Sequence, residues 1–215
     1  MFVPMFHGQN RISKKFDYGR LYNWYAINTG ILAPIGWGVP TESQFNTLIT
    51  NLGGELVAGG KMKETGFLRW DSPNDGATNS SGFSGRPGGR RYNLDGTFDG
   101  FKELARFWTS DDDTTVPAFS LKTYFADCNA NYYSKWNGFS IRFMRETNPG
   151  VSYITDYDGY RYNIVQIGGQ YWIDENWRSV KYNNGTSIPN ITDNSTWTSL
   201  TTGAYCNYEN DESYV

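Results

Sequence analysis

Apolar and polar positions in this chain fall into short periodic stretches separated by turn residues, and each stretch predicts its own element. The clearest is TESQFNTLITNL (41–52), where Phe45, Leu48, Ile49 and Leu52 recur at helical spacing. Thr41 opens it as a capping box: its hydroxyl can accept from the Gln44 amide while the Gln44 side chain reaches back. Gly53 and Gly54 then predict the stop. A shorter helix is expected over 19–27 (GRLYNWYAI), with Leu21, Trp24 and Tyr25 on one face. Strands are expected over 105–109, 118–125 and 139–144, the last two alternating in polarity. RYNIVQIGGQYWIDENW predicts a hairpin turning at Gly168-Gly169.

Between these elements the pattern breaks down in an informative way. Residues 59–113 are punctuated by Gly, Asn, Pro and Ser, but Trp70, Phe83, Tyr92 and Phe98 are interleaved, which predicts an ordered loop region pinned by aromatic rings. Residues 1–16 form an arm, apolar at Phe2, Val3, Met5 and Phe6 and basic at Arg11, Lys14 and Lys15; it is either a leader or a segment that docks on a partner. Residues 148–154 read as a Gly/Pro linker. Beyond 183 the chain is polar and turn-rich, with isolated aromatics at Trp197, Tyr205 and Tyr208.

Composition narrows the class. With 24 Gly, 16 Tyr, 13 Phe and 8 Trp in 215 residues, a loop-rich α+β domain is expected and a helical bundle is not. Charged residues make up 19% and the net charge is −3, which gives no pull toward nucleic acid. No apolar run is long enough for a bilayer-spanning helix, and the first residues lack a secretory leader pattern. Cys128 and Cys206 are too few for a disulfide framework, and His7 is the sole histidine, so neither a zinc site nor another metal or cofactor is expected.

The motifs YGRLYNWYA, GWGVPTESQFNTL, GGKMKETG, SPNDGATNSSGFS, PGGRR, FWTS and GFSIRFMRE follow one another over residues 17–147. In that order they resemble the Fibrobacter succinogenes major paralogous domain. The stretch 155–215, from DYDGYRYNIVQIGGQYW to GAYCNYENDE, looks like the opening third of the same family, placed here after the closing part. The family is similar to the formylglycine-generating-enzyme and C-type-lectin-like folds. The resemblance therefore implies a lectin-like fold with two short helices packed on small antiparallel sheets, circularly permuted. On that expectation residues 155–215 complete the core of 17–147, within the chain or in a strand-swapped neighbour, and Val215 comes near residues 16–18. Family members usually carry cysteines where this chain has Ala33 and Phe143, and the resemblance implies that these form a disulfide, here lost as a unit.

Chemistry is read from the remaining motifs. Nothing near Cys128 or Cys206 activates a thiol, so no enzyme is expected; the two could pair, or Cys206 could simply be a small buried residue. Arg90 and Arg91 beside Tyr92 could hold a carboxylate or acidic sugar, or could be structural. Asp111, Asp112 and Asp113 could ligate calcium but more simply solvate a loop. Trp108, Thr109, Asp111, Asp112, Tyr124, Asp127, Asn129, Asn131, Tyr132 and Tyr133 supply the residue types of adaptable binding surfaces. Related lectin-like proteins place their variable binding residues in this stretch. The expected function is a non-catalytic module that binds a host-surface glycan or protein from a bacteriophage particle, folded in the host cytoplasm. Alternatives are an assembly adaptor docking through residues 1–16, with homo-oligomerisation or a virion partner, and a bacterial cell-surface adhesin.

Overall fold

The computed structural model describes residues 17–215. It is an α+β arrangement of short helices and small antiparallel sheets. Strand β1 (Leu21–Tyr22) leads into helix α1 (Trp24–Asn28), and helices α2 (Glu42–Asn51) and α3 (Glu55–Met62) follow. Next come β2 (Gly88–Arg91), β3 (Phe98–Phe101), β4 (Leu104–Trp108), β5 (Val116–Lys122), β6 (Asn129–Tyr133) and β7 (Met144–Arg145). The C-terminal part adds β8 (Tyr153–Thr155), β9 (Arg161–Ile167), β10 (Gln170–Ile173), α4 (Asn194–Ser199) and β11 (Tyr205–Cys206). The sheets are β1-β11, β7-β10-β9-β8, β2-β3 and β4-β5-β6.

Helix α2 forms as its sequence predicts. Thr41 accepts from the Gln44 amide at 3.2 Å and the Gln44 side chain accepts from the Thr41 amide at 3.0 Å. Its apolar face sets Phe45 at the centre of one core, stacked on Phe119 (4.1 Å between centroids) and edge-on to Phe83 and Trp172. Burying a ring of this size stabilises the fold by roughly 1.5–3 kcal/mol. The predicted helix over 19–27 is shorter. Asn23 accepts from the Ala26 amide and caps α1, so Leu21 and Tyr22 are left extended to pair with β11.

Several elements were not expected, β2 and β3 within the 59–113 stretch among them. Helix α3 lies partly in the stretch assigned to loops, because Gly59 and Gly60 argue against a helix by propensity. Their absence of side chains has a packing cause: a Cβ on Gly59 would sit 1.9 Å from the Asp127 carbonyl oxygen, and one on Gly60 would sit 2.3 Å from that of Gly76. Strand β6 also lies in a stretch expected as loop. With α4, the described residues hold four α-helices where two were expected. The linker is shorter than 148–154, since Tyr153 and Ile154 already pair with Asn163 and Tyr162.

The segment 139–145 is the axis of the molecule. Its backbone exchanges bonds with Tyr22, then Arg106 and Trp108, then Trp177 and Ile173, and finally Gly38. Only its last two residues form regular ladder pairs, so the expected strand over 139–144 registers as the short β7. Every side chain from Phe139 to Met144 is buried, including Arg142. The Arg142 guanidinium donates to the carbonyls of Phe83, Ser84 and Ile173 and to Asn176 Oδ1.

Those contacts fasten the C-terminal segment to the rest of the same chain. Asn176 Nδ2 donates to Tyr18 O and Arg86 O. A partly buried ion network joins Asp17, Glu64, Arg69 and Arg86 to Glu175 and Arg178. The Tyr18 amide donates to Tyr214 O at 3.0 Å, which brings the C-terminal residues beside the start of the described chain.

Candidate functional site

Strand β6 is the edge of its sheet, paired with β5 alone. Strand alternation divides its side chains: Asn129, Asn131 and Tyr133 share the face of Ser120 and Arg106, while Ala130 and Tyr132 point the other way. Along the first face an amide ladder runs outward, with Asn129 Nδ2 donating to Asp127 Oδ2 at 3.1 Å and Asn131 Nδ2 donating to Asn129 Oδ1 at 3.4 Å. Asn131 and Tyr132 are exposed. The Tyr132 hydroxyl lies 3.2 and 3.4 Å from the two Glu42 carboxylate oxygens, and that charge raises its pKa.

Beneath the strip lies Arg106. Its Nε donates to Ser120 Oγ, its guanidinium sits 4.5 Å from the Tyr133 ring, and its Nη1 is buried with no hydrogen-bond partner. Burial lowers its pKa. Beside it Arg90 holds Asp99 through two bonds, at 2.5 and 2.9 Å, and stacks on Tyr92 at 3.8 Å. The strip thus offers amides on the face it shares with Arg106, and the Tyr132 phenol on the opposite face beside Glu42.

The structure brings some expected site residues together and removes others. Asn129, Asn131, Tyr132 and Tyr133 share the strand, and Asp127 joins their ladder. Tyr124, though exposed, sits in the turn joining β5 to β6, at the opposite end of the strand from Tyr132 and Tyr133. Asp111 accepts from the Glu42 amide at 2.6 Å and so completes the N-terminus of α2, while Asp112 pairs with Lys135 at 2.5 Å.

Three residues must be withdrawn as ligand contacts, because they are interior. Trp108 is buried with its indole N–H on Tyr22 O, and Thr109 is buried with its hydroxyl on Pro117 O. Arg91 is fully buried, and its guanidinium donates to Gly96 O, Ile191 O, Thr192 O and Asn194 Oδ1. It also lies 4.5 Å from the Trp197 ring. Each has spent its polar atoms on the fold.

Both cysteines are free and buried, in separate apolar clusters, so they do not pair. Burial pushes both thiols up, Cys206 to about 12. Sequence reasoning missed one concave feature. A cavity of about 240 Å³ opens between the 32–35 loop and the C-terminal segment, walled by Tyr157, Trp177 and Tyr182. Its only sequence signal is that three aromatics stand among turn residues.

The arm of residues 1–16 lies outside the described residues, and so does its expected docking role. The model of the Fibrobacter succinogenes major domain matches residues 6–145, beginning inside the arm and leaving the C-terminal segment uncovered. Comparison with curated proteins and with solved structures gives no match.

Proposed function

The chain belongs to the Fibrobacter succinogenes major domain family, and on that premise we propose that it is a non-catalytic binding module of C-type-lectin-like architecture. Its ligand, a host-surface glycan or protein, is met by the β6 strip. The observation that carries this reading is that Asn131 and Tyr132, exposed on the two faces of an edge strand, sit on a backbone held along its length by β5. A backbone held by its neighbour strand that carries adaptable polar and aromatic groups lowers the entropic cost of recognition. The buried thiols support the absence of an oxidase-like reaction.

The architecture we propose is circularly permuted, residues 155–215 supplying what the family places first. The pairing of β10 with β7 and of β11 with β1 inside one chain supports this. Ala33 and Phe143, where the resemblance places a disulfide, pack in one apolar cluster. Apolar contact at that place suits folding in a reducing cytoplasm and display on a phage particle. The functional test uses a glycan array and host-surface extracts with the exposed pair Asn131→Ala/Tyr132→Ala. Binding should fall at least tenfold while the far-ultraviolet spectrum stays unchanged. Full binding by the double variant refutes the assignment of the strip.

A further inference from the structure

We propose that Arg106 binds the carboxylate of an acidic sugar on the amide face of β6. This rests on the reading of the strip given above and deepens it, by naming the class of glycan that the face takes. Arg106 is 9% exposed, and the strand register sets it in one row with Ser120 and Asn129, on the face that Asn131 and Tyr133 share. Among the described residues its guanidinium makes one hydrogen bond, from Nε to Ser120 Oγ at 3.3 Å.

A buried guanidinium ordinarily meets a carboxylate or a set of carbonyls. Arg91 and Arg142 each make four donations, and Arg86 faces Asp17, Glu64 and Glu175. Arg106 has neither kind of partner. The carboxylate its surroundings supply, Asp99, is taken by both bonds to Arg90. Two guanidiniums thus share one carboxylate, and one positive charge is left unmatched. That charge is reachable. Arg106 Nη1 is enclosed, whereas Nη2 bonds nothing among the described residues and is not enclosed, so an outside oxygen meets the group through Nη2. The Tyr133 and Phe139 rings, 4.5 and 5.5 Å away, hold the guanidinium in place. Asp99, 44% exposed, marks the open side of the cluster.

Charge and shape select the occupant. One unmatched cation suits a singly charged carboxylate. A phosphate dianion would be repelled by Asp99 and by Asp127 at the head of the amide ladder. Asn131 spends its Nδ2 on Asn129 and keeps Oδ1 as an acceptor on the exposed side, which suits a hydroxyl donor. A peptide added to the open edge of β6 would use the strand's backbone groups, not this side-chain face. An acidic sugar presents a carboxylate and hydroxyls on one rigid ring, and so meets the arginine and the amide together.

The experiment titrates the nitrogen-15-labelled full chain with sodium glucuronate at millimolar concentration, following the Arg106 Nε–H resonance, which is identified by its loss in Arg106→Lys. Glucuronate should shift that resonance saturably, and glucose should not. Arg106→Gln, checked for folding by its near-ultraviolet spectrum, should weaken glucuronate binding about tenfold or more in calorimetry. Asn131→Ala, at an exposed position, should weaken it about threefold, while Tyr132→Ala, on the opposite face, should leave it intact. Failure of glucuronate to move the resonance of the folded, unsubstituted protein overturns the proposal, whatever the variants do. So does an equal response to glucose, or a saturable response to inorganic phosphate or N-acetylaspartate when glucuronate gives none. Retention of array binding by Asn131→Ala/Tyr132→Ala refutes the strip alone, and a saturable glucuronate shift then still supports the arginine site.

Discussion

Replacing Arg91 by methionine tests whether a residue that looks like a ligand contact is instead a latch. Methionine keeps an apolar stem of similar reach and removes the guanidinium. Four donations disappear, to Gly96 O at 2.9 Å, Ile191 O at 2.5 Å, Thr192 O at 3.0 Å and Asn194 Oδ1 at 2.8 Å. Bonds to a charged group contribute roughly 1.5–3 kcal/mol each, but they are not additive, and the carbonyls left behind recover part of the loss through water. A buried acceptor left unpaired costs about 1–3 kcal/mol, and with that partial recovery a net loss of about 3 kcal/mol is expected here. It is a large share of a total stability of roughly 5–15 kcal/mol. Urea unfolding followed by tryptophan fluorescence reads it directly. Arg91→Lys should recover only part, because a single ammonium cannot span four acceptors. A loss under about 1 kcal/mol, or lost ligand binding at unchanged stability, would refute the latch and return Arg91 to the binding surface.

Two further outcomes follow from the same interior. Lys63 is fully buried, donates to Asp75 O, Lys122 O and Phe125 O, and has its pKa lowered by burial to about 8. Between that value and the unfolded lysine pKa of about 10.4 the unfolded chain binds more protons, so stability from this group rises with pH in that window. The stability of the protein relative to Lys63→Met should therefore improve from pH 7.5 to 9.5, measured by urea unfolding; a constant or shrinking difference contradicts it. A re-permuted chain, with residues 153–215 joined through a short glycine linker to the start of 17–147, should fold with the same near-ultraviolet spectrum, since Tyr18 and Tyr214 already share a backbone bond. A re-permuted protein lacking cooperative unfolding would contradict the proposed arrangement.

Local signals were legible where the chemistry is local. The Thr41–Gln44 capping box and the Gly168-Gly169 hairpin are written within a few residues, and both elements stand where the pattern puts them. Helix α3 was hidden because its glycines answer to Asp127 and Gly76, which are remote in sequence. Strand β6, NANYY, has no apolar alternation because one face carries the amide ladder and the other carries Ala130 against the core and exposed Tyr132. At the site, Arg91 and Trp108 have the composition of binding residues, and only packing shows that buried carbonyls consume them. The cavity was illegible for the same reason. Its walls come from residues near 33 and near 180, which no spacing rule connects.

The pairing of β1 with β11 has a consequence for synthesis. The Asn23 side chain accepts from the Ala204 amide, 181 residues later in the chain. At roughly 5–20 residues per second, a ribosome needs on the order of 9–36 seconds to deliver that partner. Through that interval the first strand emerges with an open edge, and until residue 177 is made the 139–145 axis lacks its bonds to Ile173 and Trp177. A message cut short before codon 204 would yield a product that is sticky, not merely smaller, so the cell's chaperones and quality-control proteases become part of how this domain reaches its finished state.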